Sequence, residues 1–216
     1  MAPKLYIAEV CPAVRSTLLL IKALGLNVEL VPLNMAKDEH LTPEFLKINP
    51  LHTVPTLQDG DFVVCDSHAV NIYLIEKYHP ETDLYPKCNQ ARATIHQRLF
   101  FDAGILFARM ADIVKSVVRE GAKMVSKDRA DKVIEGYSFL EALLEMNKYV
   151  AGDHVTIADF SLVTTTASCN VVVPIASNRY PKISEWLANM EQLPYYKEAV
   201  QAGLDMFTGM MKSKLA

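Results

Sequence analysis

The chain has 216 residues, half of them hydrophobic, and a formal net charge of −3 at pH 7. This length suffices for one large domain or two small ones with a buried core, and the charge argues against a nucleic-acid partner. The four cysteines lack the spacing of a disulfide framework or a metal site. No run approaches the roughly eighteen unbroken apolar residues of a membrane span, so we expect a soluble, cytoplasmic protein without a metal.

Strand and helix signals alternate through the first eighty residues. Lys4–Ala8 is a short β-prone run. A helix over 12–24 is predicted next, because proline suits the first helical position and Gly25 can end the helix. A second strand is expected over 28–33. The apolar spacing within the helix predicts a buried stripe made of Val14, Leu18, Ile21 and Leu24.

A hairpin and a helix follow. The β-favouring runs 56–58 and 62–64 flank Asp59-Gly60, a dipeptide that suits a tight hairpin turn. Val54-Pro55 precedes the first run, and proline belongs at the start or edge of a strand because it has no N–H to donate. The backbone N–H and C=O of Val54 are therefore expected to be free. Asp66 and Ser67 are good N-caps for the helix after the second run.

Beyond residue 80 the strand signals nearly disappear. Two prolines and several polar residues within 78–87 predict a linker, 81–87, between a first domain, 1–80, and a second, all-α domain, 88–216. Helices are expected at about 89–120, 128–148, 156–173, 181–192 and 195–211. Thr156 and Asp159 form a capping box with a structural role. On the first of these helices, three- and four-residue steps produce one apolar stripe, typical of a bundle core, of Phe107, Met110, Val114 and Val118.

The hairpin unit carries a resemblance. His52-Thr53-Val54-Pro55 followed by Asp66-Ser67-His68-Ala69-Val70 resembles the glutathione-binding half of the cytosolic glutathione transferases, and is most similar to the insect epsilon class. Either piece alone is also compatible with a loop proline and an ordinary helix cap. The resemblance implies a thioredoxin-like βαβ-ββα domain followed by an all-helical domain. It further implies glutathione-binding residues at His40, His52, Thr53, Val54, Pro55, Asp66, Ser67 and His68.

The family assigns parts of glutathione to these residues. A cis proline follows the valine, whose backbone pairs with the cysteinyl part, and the acid-serine pair holds the γ-glutamyl end. His52 and His40 are expected to hold the glycine carboxylate. The resemblance also turns the bundle-core stripe into the wall of a site for hydrophobic electrophiles. That site is expected to contain Pro12, Phe107, Met110, Ala111, Val114 and Val118, with Ala111 standing where many epsilon sequences have a second arginine.

Position 11 is the expected catalytic centre. Cys-Pro-Ala-Val-Arg stands where the epsilon pattern has Ser-Pro-x-x-Arg. The residue lies at a predicted helix N-terminus, whose free N–H groups and dipole favour a thiolate. Cys11 could therefore replace the family's serine in assisting the glutathione thiolate, or form a mixed disulfide with glutathione itself. An inert buried cysteine is the third, less favoured interpretation. Tyr6 is a distant alternative as hydroxyl donor.

Three functions are compatible with these residues. The first is a transferase that conjugates glutathione, as co-substrate, to hydrophobic electrophiles in detoxification. The second is a glutathione-dependent thiol transferase or reductase using Cys11, and the third is a non-catalytic carrier of hydrophobic ligands such as steroids. A homodimer is expected, because Ile72 and Ile75 extend the apolar surface of the helix after Ser67 and because the family pairs the residue matching His68 across a two-fold axis.

Overall fold

A mixed sheet of four strands forms the first part of the computed structural model, which describes residues 2–215. The strands are β1 (Lys4–Ile7), β2 (Glu29–Pro32), β3 (Thr56–Asp59) and β4 (Phe62–Cys65). Their order is β2-β1-β3-β4, with β1 parallel to β2 and β3 antiparallel to both β1 and β4. This arrangement confirms the expected βαβ-ββα, thioredoxin-like topology.

Helices make up most of the remaining structure. They are α1 (Pro12–Leu24), α2 (Pro43–Ile48), α3 (Ser67–Tyr78), α4 (Asn89–Phe101), α5 (Phe107–Val118), α6 (Lys127–Glu145), α7 (Ile157–Val172), α8 (Pro181–Glu191) and α9 (Ala202–Lys214). The strands end before α3 begins, so the second half is helical as predicted. Within residues 2–215, no helix has the length and apolar character needed to cross a bilayer.

Two π-helical turns were not predicted. The first, Asp102–Leu106, joins α4 to α5 where a single helix over 89–120 was expected, and the second, Lys197–Gln201, precedes α9. In the first turn the N–H of Phe107 donates to the carbonyl of Asp102, five residues back. Apolar periodicity did not reveal this change because the apolar stripe recognised in the sequence begins at Phe107, after the wide turn.

Helix α1 begins at Pro12 and ends at Gly25, which takes the left-handed conformation with φ 61°. The predicted buried stripe of this helix does not extend to Leu24, which is only half-buried. Several other residues are buried as well, because the helix packs against α3, α7 and α9. These additional buried residues are Arg15, Ser16, Thr17, Leu19 and Leu20.

The capping box at the start of α7 is present. The carboxylate of Asp159 accepts hydrogen bonds from the N–H of Thr156 at 2.8 Å and from the Trp186 indole at 3.0 Å. It also accepts from the N–H of Val150 at 3.0 Å. Asp159 is fully buried, so these donors compensate for its desolvation and tie α7 to α8.

Candidate active site

The register of the hairpin brings the two predicted motifs together. Thr56 pairs with Cys65 across β3 and β4. Because the strands run antiparallel, Pro55 before the first strand and Asp66 after the second emerge at the same end of the hairpin. The two halves of the predicted glutathione motif therefore lie side by side.

The loop before β3 presents the backbone of Val54. The Val54–Pro55 peptide bond is cis, as expected. The buried side chain of Asn49 fixes this loop, since its Nδ2 donates to the carbonyl of Thr53 at 3.2 Å and to the hydroxyl of Thr56 at 2.8 Å. Within residues 2–215 the N–H of Val54 makes no hydrogen bond, which leaves it available to a ligand. Asn49 is a supporting residue that sequence reasoning did not identify.

Asp66 caps α3 from an unusual backbone conformation. Its φ is 74°, in the left-handed region that residues with a side chain rarely adopt, and such departures concentrate at functional sites. Oδ1 accepts from the N–H of His68 at 2.8 Å and pairs with Nδ1 of the same residue at 3.0 Å. The hydrogen bond from His68 lowers the pKa of Asp66 below its usual value. The result is an exposed, ionised carboxylate at a helix N-terminus.

Ser67 follows Asp66 at the first position of α3 and is buried. Its hydroxyl makes no hydrogen bond within residues 2–215. The hydroxyl and the nearby helix amides are therefore free to bind a carboxylate, which the positive end of the helix dipole favours.

His68 lies between two carboxylates. Nε2 is 3.1 Å from Oδ2 of Asp102, and Nδ1 faces Asp66. Burial lowers the pKa of His68, but the hydrogen bonds that the ring donates to Asp102 and Asp66 outweigh burial and raise the pKa to about 9. The ring is therefore a cation at neutral pH. It connects the rim of the hairpin to the buried Asp102 in the π-helical turn before α5.

Asp102 was missed because it lies 34 residues from His68 in the chain and carries no motif of its own. An acidic residue within the otherwise apolar run 99–107 was the signal that could have identified it.

The two histidines predicted to hold the glycine end also meet. The ring centroids of His40 and His52 are 6.1 Å apart. His40 is buried, and its Nδ1 has no hydrogen-bond partner within the described chain. His52 is exposed and adopts a left-handed conformation with φ 48°.

One cavity of about 970 Å³ joins the first domain's loops to the helical part. Most predicted residues from both groups line this cavity, namely Cys11, Pro12, His40, His52, Thr53, Val54, Met110, Ala111, Val114 and Val118. Pro55, Asp66, Ser67 and His68 lie outside its lining, at the end of the hairpin. Phe107 is also outside it and packs against the hydrophobic core, since the α5 wall begins one turn later at Met110.

Helix α9 supplies a part of the wall that was not predicted. Phe207 and Met210 face α5 across the cavity, and Lys115 and Arg119 extend the α5 side. No local motif marks the α9 residues, because their position depends on how the last helix folds back onto the first domain. Lys115 and Arg119 follow Ala111 at four-residue steps in the sequence, so helical spacing could have indicated them, but they were not predicted.

Comparison with known proteins decides the family. Residues 1–76 match the glutathione S-transferase N-terminal domain, and residues 96–194 match the glutathione S-transferase C-terminal domain. The chain is 38% identical to Glutathione S-transferase 1 of Manduca sexta over all of both chains. The chain belongs to the glutathione S-transferase family.

Solved transferase structures share the whole fold. An epsilon-class glutathione S-transferase from the housefly, Musca domestica, matches with a TM-score of 0.96 and 42% identity over 98% of each chain. A glutathione transferase homologue from a Drosophila species, solved with bound glutathione, matches with a TM-score of 0.95 and 39% identity over 99% of this chain and 97% of the other. The chain is thus an enzyme of the glutathione-conjugating type, similar to epsilon-class members.

The environment of the transferase's Cys11 differs from the expected one. Burial raises the pKa of the Cys11 thiol, and this effect exceeds the lowering by the N–H groups of Val14 and Ala13 and by the charge of Arg15. Sγ is 3.8 Å from the carbonyl oxygen of Val54, a long contact that suits a neutral thiol as donor. The helix dipole alone therefore does not make Cys11 a thiolate.

The hydroxyl of Tyr6, the alternative donor, is engaged across the sheet in this transferase. Its hydroxyl donates to Oε1 of Gln58 at 3.0 Å across the sheet, and its ring packs edge-on against Phe45. No group of three or more metal-binding side chains occurs within residues 2–215.

Proposed function

We propose that this transferase binds glutathione across the end of the hairpin and passes its sulfur to a hydrophobic electrophile in the 970 Å³ cavity. One observation carries the proposal: Cys11 and Val54 of the glutathione half line the same cavity as the apolar side chains of α5 and α9. When both substrates are bound in one cavity, binding has already offset most of the entropic cost of bringing them together.

In this proposal, Asp66 and Ser67 hold the γ-glutamyl group. The exposed carboxylate of Asp66 takes its ammonium, and the hydroxyl of Ser67 with the α3 N-terminus takes its carboxylate. His68 keeps Asp66 ionised and oriented. Val54 offers its free N–H to the cysteinyl part, and the adjacent rings of His52 and His40 take the glycine carboxylate.

This placement directs the glutathione sulfur toward α1. There Cys11 is a neutral thiol at the start of α1, beside the N–H groups of Ala13 and Val14 in the first helical turn. We infer that these amides, the helix dipole and the Cys11 S–H favour the glutathione thiolate, whereas the raised pKa of Cys11 disfavours its use as a redox nucleophile. Conjugation is therefore proposed over thiol-disulfide exchange.

Cys11→Ser and Cys11→Ala test this choice in two assays, conjugation of glutathione to 1-chloro-2,4-dinitrobenzene and glutathione-dependent disulfide reduction. We expect conjugation to persist or rise in the serine variant, which has a stronger donor, and to fall about tenfold in the alanine variant, or about 1.4 kcal/mol. Cys88→Ser is the matched control, since Cys88 is exposed and caps α4.

Two other outcomes would contradict the proposed role of Cys11 in conjugation. If both Cys11 variants lose disulfide reduction and a glutathione adduct seen by mass spectrometry, Cys11 is a redox nucleophile. If Cys11→Ala retains every glutathione-dependent activity, the residue has no catalytic role.

A homodimer is proposed as well, on different grounds from those expected. Ile75 is fully buried and Ile72 is partly buried against the core, so α3 absorbs the apolar residues that suggested a partner. Large apolar side chains are exposed elsewhere, including Phe100 at 76% and Leu51 at 62%. A sedimentation mass near 24.1 kDa at micromolar concentration would refute the dimer.

The domain boundaries and the location of the protein are further proposals. The absence of a helix or strand between Tyr78 and Asn89 supports a division at residues 81–87. Limited proteolysis that never cuts there would argue against it. The free thiols of all four cysteines support a cytoplasmic location, which fractionation of cells tests.

A further inference from the structure

We propose that the electrophile of this transferase is a hydrophobic anion, whose carboxylate is held by Arg119 and Lys115 while its apolar body lies between α5 and α9. This inference rests on the proposed function and names the class of its second substrate. Arg119 and Lys115 are then residues that determine specificity at the mouth of the cavity.

The periodicity of α5 places these cations beside the apolar wall. Ala111, Lys115 and Arg119 succeed one another at four-residue steps and all line the cavity. Met110, Val114 and Val118 form the parallel row one residue earlier. Residues four apart share a helix face. An apolar row therefore lines the cavity beside a second row, which begins with the small Ala111 and ends with the cations Lys115 and Arg119.

Arg119 is available to a ligand. Within residues 2–215 its guanidinium makes no hydrogen bond and has no carboxylate within 4 Å. Arg109, the arginine within α5, is already paired, because it lies 2.7 Å from Glu135, whereas Arg119 directly follows the end of the helix. Lys115 has only a long contact of 3.8 Å with Glu120.

The other ionisable groups of the lining leave this end of the cavity cationic. Asp38 is the one carboxylate among the lining residues, and it lies on the loop after β2, without an ion pair to either cation. His40 and His52 are on the same loop side, where the proposed glycine end of glutathione binds. Arg119 and Lys115 are therefore the cationic pair on the electrophile side.

The size and surface of the cavity suit a bulky apolar body. Its volume of about 970 Å³ is near the upper end for small-molecule sites. Met35, Met110 and Met210 contribute to its wall, and flexible thioethers adapt to irregular ligands. Large apolar volume together with an unpaired arginine and a loosely paired lysine at the rim favours an amphipathic anion over a neutral aryl compound.

Decanoate and 1-decanol separate charge from apolar contact, since they share a chain length and differ in the head group. Both would be titrated against the fluorescent probe N-phenyl-1-naphthylamine bound to the full-length protein, without glutathione. We expect Arg119→Gln to weaken decanoate binding about fivefold, and Arg119→Gln with Lys115→Gln about tenfold or more, with decanol unchanged. Added salt should reduce the effect because the cations are exposed. Lys123→Gln, an exposed cation outside the cavity, is the matched control and should leave both affinities unaltered.

Two results would overturn the proposal: decanoate affinity unchanged in the double variant, or an equal loss for decanol. A higher glutathione KM in the double variant, with decanoate binding unaltered, would assign the cations to glutathione and also overturn it. The proposed function fails separately, because a protein without conjugating activity can still show the contrast between decanoate and decanol.

Discussion

The two halves of the active site are built in different ways. The proposed glutathione half comes mainly from residues 49–70, where a cap, a hairpin and a short loop are held in place by nearby hydrogen bonds. The electrophile half is assembled from α5 and α9, which lie far apart in the chain and contribute mainly apolar side chains. Local motifs thus specify the proposed glutathione site, whereas long-range packing shapes the proposed electrophile site. One fold can therefore change its second substrate while keeping its first.

The largest expected effect lies in the glutathione half. Asp66→Ala should weaken glutathione binding by about 2 kcal/mol or more, roughly thirtyfold, because a charge-assisted contact is lost. Loss of the helix cap should lower the unfolding free energy by about 1 kcal/mol. Calorimetric titration with glutathione and thermal unfolding measure the two effects.

Asp61→Ala is the control for this change, since Asp61 is exposed and makes no ion pair within residues 2–215. Unchanged glutathione affinity in Asp66→Ala, with a lower melting temperature, would leave Asp66 as a helix cap alone. The proposed contact between Asp66 and the γ-glutamyl group of glutathione would then be wrong.

Gly203 tests whether the two halves are mechanically joined. An added Cβ at this buried residue of α9 would lie 2.2 Å from the carbonyl oxygen of Glu9 and 2.9 Å from Cδ of Arg15. Since Glu9 precedes Cys11 by two residues, relief of this clash must move either α9 or the loop carrying Cys11. Gly203→Ala should lower the unfolding free energy by about 1–3 kcal/mol and reduce kcat.

Gly209→Ala is a matched control on the same helix, because its added Cβ meets nothing within 4 Å. It should be neutral or stabilise the fold by up to about 1 kcal/mol. Equal stability and kcat in the two variants would show that α9 and the Cys11 loop adjust independently.

The smallest expected effect is a pH dependence of the unfolding free energy, caused by His68 in the proposed glutathione half. His68 has a pKa of about 9 in the folded protein, above its ordinary value of 6.5. Its stabilising contribution is fully present below pH 6.5 and is lost as pH rises through 9. Denaturant titrations should therefore show a loss of about 1–2 kcal/mol over this interval that is absent from His68→Gln.

His79→Gln, at the exposed end of the same helix, should retain the loss of stability seen in the unaltered protein. A pH profile of stability that is identical in His68→Gln and the unaltered protein would contradict a cationic His68 between Asp66 and Asp102.

The same contrast explains what the sequence could reveal. The Asp59-Gly60 hairpin, the Thr156 capping box and the end of α1 at Gly25 were predictable because each depends on a few neighbouring residues. Asp102 and the α9 wall were not, since their roles arise only when distant elements meet. Burial at Cys11 also reversed an expectation, because a helix dipole can be read from sequence but desolvation cannot.

The π-helical turn at Asp102–Leu106 has a consequence for how the chain can vary in length. In a regular α-helix, residues eight apart, such as Asp102 and Met110, would point in directions about 80° apart. The wide turn absorbs one extra residue, which reduces the angular difference to about 20° and lets Asp102 reach His68 while Met110 lines the cavity. A chain shortened by one residue within 103–106 could therefore form an unbroken α-helix with both side chains still in phase.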